Sequence, residues 1–118
     1  MGTFNVTIEI ADLEGHRFES LEALVDTGST TTVVPSRFLR ELGVVPTRRD
    51  TFEYADGRRR ELDMAEAKVR VEGRETTTWV LFGEDDAAAL LGAYTLEGVL
   101  LGVDPYNRRL VPVRGLLM

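Results

Sequence analysis

Apolar and polar positions alternate along most of this chain. Phe4, Val6, Ile8 and Ile10 are separated by polar residues, the period-two pattern of a half-buried strand. A turn at Asp12-Leu13-Glu14-Gly15 leads to residues 16–20, expected to pair with the first strand as a hairpin. Residues 21–25 carry the chain to Asp26, and 30–34 read as another short strand. The period changes at 35–43. Phe38, Leu39 and Leu42 make one stripe, Pro35 suits a first turn and Gly43 a last one, so a short helix is predicted. Residues 44–49, with Pro46, read as an extended linker.

The second half repeats this style. Asp56-Gly57 predicts a two-residue hairpin turn after a strand from Thr51. Leu62, Met64, Ala67, Val69 and Val71 form a long return arm, so the hairpin tip is expected to project beyond the sheet. The alternation slips by one at Ala65-Glu66, which predicts a bulge. A turn at 72–75 and a strand at 76–82 follow. After an acidic loop, Ala89-Leu90-Leu91-Gly92 opens into a short helix at 93–99, weakened by Gly98. Strands at 100–103 and 110–113 flank the Asp104-Pro105-Tyr106-Asn107 turn. Many short strands and about two short helices define a mostly β class.

Composition narrows the function. With 118 residues, one domain spanning 1–118 is expected. A net charge of −6 argues against non-specific nucleic-acid binding. The absence of cysteine excludes disulfides, thiolate catalysis and Cys-ligated zinc. The N-terminal residues from Met1 carry no secretory or myristoylation pattern, and no apolar run reaches the ~18 residues of a membrane span. The expectation is a cytoplasmic protein that contacts neither nucleic acid nor membrane.

The chemistry concentrates at Asp26. Ala23-Leu24-Val25 is a short apolar run, and Asp26-Thr27-Gly28-Ser29 hands its carboxylate to a tight turn ringed by hydroxyls. The same four residues are good turn chemistry in their own right, since Asp and Ser bond their own backbone and Gly supplies positive φ. An aspartyl-phosphate motif would place Lys or Asp after the aspartate, where Thr27 stands. There is also an internal echo: Ala23-Leu24-Val25 before Asp26 and Ala89-Leu90-Leu91 before Gly92 each end in a Gly-containing turn. Only the first carries a carboxylate, which fits two structural halves with one chemically equipped.

Other polar groups read as background. Arg58-Arg59-Arg60 is taken as a solvated hairpin arm, and Glu84-Asp85-Asp86 as solvated acid without calcium-site spacing. His16 has no ligand partners and is taken as structural, and Trp79 and Tyr94 as core, while Tyr54 stands near the hairpin tip with a side chain that could equally pack on the hairpin's own base. No metal or cofactor is expected.

Leu24 to Ser29, Tyr54-Ala55-Asp56-Gly57, Leu90-Leu91-Gly92 and the tail from Val103 to Pro112 stand in the order found in retroviral-type (retropepsin-like) aspartic proteases. The chain resembles the stand-alone bacterial and archaeal versions of that family over about two thirds of its length. The resemblance implies a small closed β-barrel with one or two short helices, working as a symmetric homodimer. It further implies an aspartic endopeptidase in which Asp26 of each subunit shares the activation of one water. Thr27 would bond across the dimer interface, the Gly28 amide would hold the carboxylate, and Ser29 would bond its outer oxygen. Tyr54, Ala55, Asp56 and Gly57 would form a flap over an extended peptide or protein substrate, and Leu90, Leu91 and Gly92 the apolar-Gly motif of the second half. The C-terminal Gly115-Leu116-Leu117-Met118 need not copy the viral interface strand. The alternative is a dimeric β module that binds extended peptides and cuts weakly or not at all.

Overall fold

A computed structural model describes residues 3–117. Met1, Gly2 and Met118, which enter the N-terminal signal and C-terminal readings, lie outside the described residues. The elements in chain order are β1 (Asn5–Ala11), β2 (Glu19–Val25), β3 (Thr32–Pro35), α1 (Ser36–Glu41), β4 (Arg48–Glu53), β5 (Arg59–Val71), β6 (Arg74–Gly83), β7 (Ala89–Leu91), α2 (Ala93–Gly98), β8 (Leu101–Asp104) and β9 (Arg109–Pro112).

Six strands close a barrel in the order β1-β2-β7-β3-β6-β5, because β5 also pairs with β1. Inward positions obey the expected period of two. Ile8 and Ile10 of β1, Ala65, Ala67, Val69 and Val71 of β5, and Val80 and Phe82 of β6 are all buried. Together with Val25, Val34, Leu91 and Leu96 they form one core. Closure removes the edges of these six strands, while β4, which pairs with β5, remains an edge of the sheet.

The internal echo becomes physical contact. β2 and β7 pair in parallel with Ala23 beside Ala89, Leu24 beside Leu90 and Val25 beside Leu91. Asp26 and Gly92 therefore leave the barrel at the same level.

Local differences from the sequence reading have local causes. β2 starts at Glu19 and not at His16, and β4 takes in Arg48 and Arg49 from the expected linker. No bulge interrupts β5: its register with β6 runs without a skip from Met64–Leu81 to Val71–Arg74. The pattern slips because the covered face changes. Leu62 and Met64 lie on one face of the outer arm, while Ala65 begins the run that points into the barrel. The Asp56-Gly57 tip is not a two-residue turn. Tyr54 N–H donates to the Arg58 carbonyl (2.8 Å) and Gly57 N–H to the Tyr54 carbonyl (2.9 Å), leaving a three-residue loop with Gly57 at φ +88°. A two-residue type I′ turn needs positive φ at both central residues. That condition is met at Glu72 (φ 51°) and Gly73 (φ 80°), which join β5 to β6.

α1 ends in a Schellman motif: Gly43 N–H bonds Arg40 O (3.0 Å) and Val44 N–H bonds Leu39 O (3.0 Å). α2 packs on β6 so closely that a Cβ on Gly98 would stand 2.7 Å from Thr76 Oγ1, so the residue expected to weaken the helix is the one that lets it dock. Trp79 and Tyr94 are not core. Trp79 is half-buried with the Arg48 guanidinium 5.6 Å from its ring centre, and Tyr94 is 54% exposed. Among the described residues no helix is long and apolar enough to cross a membrane.

Candidate active site

Two segments converge at the ends of β2 and β7. Asp26 N–H donates to the Leu91 carbonyl (3.0 Å), so the parallel ladder continues one step past β2. The turn closes through Ser29 N–H to the Asp26 carbonyl (3.1 Å). Gly28 N–H donates to Asp26 Oδ1 (3.0 Å), so a backbone amide holds the carboxylate as expected. Asp26 itself is half-buried, and Thr27 and Gly28 are exposed.

The start of α2 clamps this turn from behind. Ala93 N–H donates to Ser29 O (2.8 Å) and Tyr94 N–H to Thr30 O (2.9 Å). These are helix-terminal amides that need acceptors outside the helix. Gly92 lies against the turn's backbone: a Cβ there would meet Thr31 C at 2.7 Å and the Ser29 and Thr31 carbonyl oxygens at 2.8 Å. The glycine is required by proximity, since its φ of −93° suits any residue.

Buried hydroxyls complete the support. Thr32 and Thr95 Oγ1 atoms are 2.6 Å apart, Thr78 Oγ1 stands 3.4 Å from Thr95 Oγ1, and Gly92 N–H donates to Thr32 Oγ1 (3.0 Å). All three threonines are buried. The sequence reading missed them. The available signal was weak: Thr32 shares the inward face of β3 with Val34, and a hydroxyl on a buried face must find a partner.

Ser29 departs from expectation. Its hydroxyl donates to the Thr31 carbonyl (2.9 Å), which uses its single proton within the turn and not on the outer carboxylate oxygen. Tyr54, Ala55, Asp56 and Gly57 stand together at the exposed tip of the β4–β5 hairpin, whose outer arm, residues 59–63, pairs only with β4. Asp56 accepts from Arg58 N (3.0 Å) and Nε (2.7 Å), and the Arg58 guanidinium lies 5.2 Å from the Tyr54 ring centre. Arg58 and Arg59 are thus paired within the hairpin, the latter with Glu53 (3.1 Å). Of the acidic loop, Asp85 accepts from Arg37 N–H (2.7 Å), and Glu84 pairs with Arg60.

Two shallow surface hollows, about 250 and 120 Å³, are lined by Thr76–Thr78 with α2 and by residues of the β1–β2 and α1–β4 connections. Neither takes in Asp26. His16 is not partnerless: Asp12 Oδ2 lies 2.7 Å from its Nδ1 and Asp12 Oδ1 accepts its N–H (3.0 Å), with Glu14 close by. The Asp12 carboxylate raises the His16 pKa above its ordinary value, and His16 in turn lowers that of Asp12.

A family model described as gag-polyprotein putative aspartyl protease matches residues 11–104. Solved structures share the fold. The protease of simian foamy virus (mac) superposes with a TM-score of 0.57 at 24% identity, covering 80% of this chain and 92% of its own. The EIAV protease complexed with the inhibitor HBY-793 gives 0.60 at 21%, covering 81% and 86%. No curated protein matches this chain.

Proposed function

The chain belongs to this gag-polyprotein aspartyl protease family, and from that premise we propose that it is a cytoplasmic aspartic endopeptidase assembled as a homodimer on Asp26. The observation that carries the reading is the Asp26 turn itself. A half-buried carboxylate, held by the Gly28 amide, sits on a turn that β7 and α2 clamp, beside exposed Thr27 and Gly28.

Peptide hydrolysis by this chemistry needs two carboxylates facing one water. One takes a proton from the water while the other donates to the scissile carbonyl oxygen. Two carboxylates about 3 Å apart cannot both ionise cheaply, so they share a proton and titrate as a pair. The motif occurs once per chain, as β7 is followed by Gly92 where β2 is followed by Asp26. The second carboxylate therefore comes from a second copy, with the two-fold axis between the Asp26 turns. In that arrangement exposed Thr27 bonds across the axis. The Tyr54–Ala55–Asp56–Gly57 tip closes as a flap over an extended peptide, which pairs through its backbone.

The test is Asp26→Asn against a peptide library. Wild type is expected to cut with a bell-shaped pH dependence, and the variant to lose about 10²–10⁴-fold in rate. Equal cutting by both, or none by wild type, would overturn the reading.

A further inference from the structure

The β4–β5 hairpin has two unlike faces. On one, cross-strand ion pairs join Arg49 to Glu61 (3.4 Å) and Asp63 (3.3 Å), and Arg59 to Glu53 (3.1 Å). On the other, Phe52 lies opposite Arg60, Asp50 opposite Leu62 and Arg48 opposite Met64. Phe52 and Leu62 are half-buried and Met64 is buried, so this second face is turned toward the rest of the protein. Arg48 extends the same face onto the Trp79 ring of β6.

Among the described polar contacts of residues 49–63, one leaves the hairpin. Arg60 Nη1 donates to Glu84 Oε1. Glu84 belongs to the loop between β6 and β7, and β7 runs directly to the carbonyl that accepts Asp26 N–H. The hairpin is thus tied to the same segment that holds the aspartate turn. The pair is half exposed, with side chains 49% and 56% accessible. An ion pair so placed is weak and screened by salt.

We propose that Arg60 and Glu84 are positioning residues whose ion pair latches the β4–β5 hairpin to the β6–β7 loop and sets how readily the hairpin lifts. The kinetic half of this proposal rests on the peptidase reading; the conformational half does not. Two readouts keep them apart. By NMR, Arg60→Gln and Glu84→Gln are each expected to move the Tyr54, Ala55 and Gly57 amide signals in a common direction and to increase their microsecond–millisecond exchange. About 1 M salt does the same to wild type, where screening acts within about 3 Å. The charge swap Arg60→Glu with Glu84→Arg restores the wild-type signals. In a cleavage assay each single variant loses about two- to five-fold in kcat/KM, chiefly through KM, and the swap recovers it. Flap signals that ignore both single variants and salt, or a swap no better than either single variant, would overturn the latch. The NMR pattern in a protein that cuts no peptide would keep the latch and overturn the peptidase reading.

Discussion

Gly92→Ala tests how the aspartate turn is held. The added methyl carbon would stand 2.7–2.8 Å from the Thr31 carbonyl carbon and the Ser29 and Thr31 oxygens, all backbone atoms that no rotamer change can move aside. Relief requires α2 and the turn to separate. That strains the Ala93–Ser29, Tyr94–Thr30 and Gly92–Thr32 hydrogen bonds. Overpacking costs about 1–3 kcal/mol and each weakened bond adds about 0.5–1.5 kcal/mol. Allowing for partial relaxation, a loss of about 2–4 kcal/mol is expected, or about 8–16 °C in Tm for a domain of this size. Urea and thermal unfolding followed by circular dichroism measure it. Two controls isolate the mechanism. Gly98→Ala meets the Thr76 side chain, which can rotate, and is expected to cost less. Gly43→Ala meets nothing within 4 Å but sits at φ +83°, so it should cost about 1 kcal/mol through backbone strain alone. A Gly92→Ala protein within about 0.5 kcal/mol of wild type, or no worse than Gly43→Ala, would refute the argument from contact.

Thr32→Val keeps the volume but leaves the buried Gly92 N–H without its acceptor, and unfolding should show a loss of about 1–3 kcal/mol. The His16 ring signals should titrate above the ordinary histidine value because Asp12 holds the proton, and Asp12→Asn should return them to about 6.5. The raised His16 stabilises fully below about 6.5 and loses its contribution as pH rises through its folded pKa; the lowered Asp12 stabilises above about 3.9 and loses its contribution as pH falls through its own. The pair therefore helps most between about pH 4 and 6.5. Asp50, Glu75 and Asp104 are also lowered, by the Thr51 amide, Arg70 and Asn107 respectively, so denaturation midpoints should drop on acidification below about pH 4.

The alternation of Phe4 to Ile10 and of Ala67 to Val71 was enough to identify inward faces, because a strand buried on one side must repeat every two residues. The Ala23/Ala89 echo was legible too, although only the fold shows that the two copies lie side by side in register. What stayed hidden depends on distant partners. Whether Trp79 and Tyr94 are covered is decided by what stands over them, which local pattern does not encode. Asp56-Gly57 carries a two-residue turn signal, yet the register from Arg48–Met64 to Glu53–Arg59 leaves more chain to be turned. Gly98 reads as a helix weakness until Thr76 is placed beneath it. The Thr32 and Thr95 hydroxyls meet across 63 residues of chain, and nothing in the threonine runs 30–32 and 76–78 marks which member is buried.

β7 is inserted between β2 and β3, which precede it by about half of the chain. Until residues 89–95 have left the ribosome, Asp26 N–H has no Leu91 carbonyl and the turn no helix behind it. A partly synthesised chain therefore cannot set its aspartate, and contacts of such long span form slowly. The turn that carries Asp26 is thus among the last parts of the fold to be completed, and its geometry reports that the second half of the chain has docked.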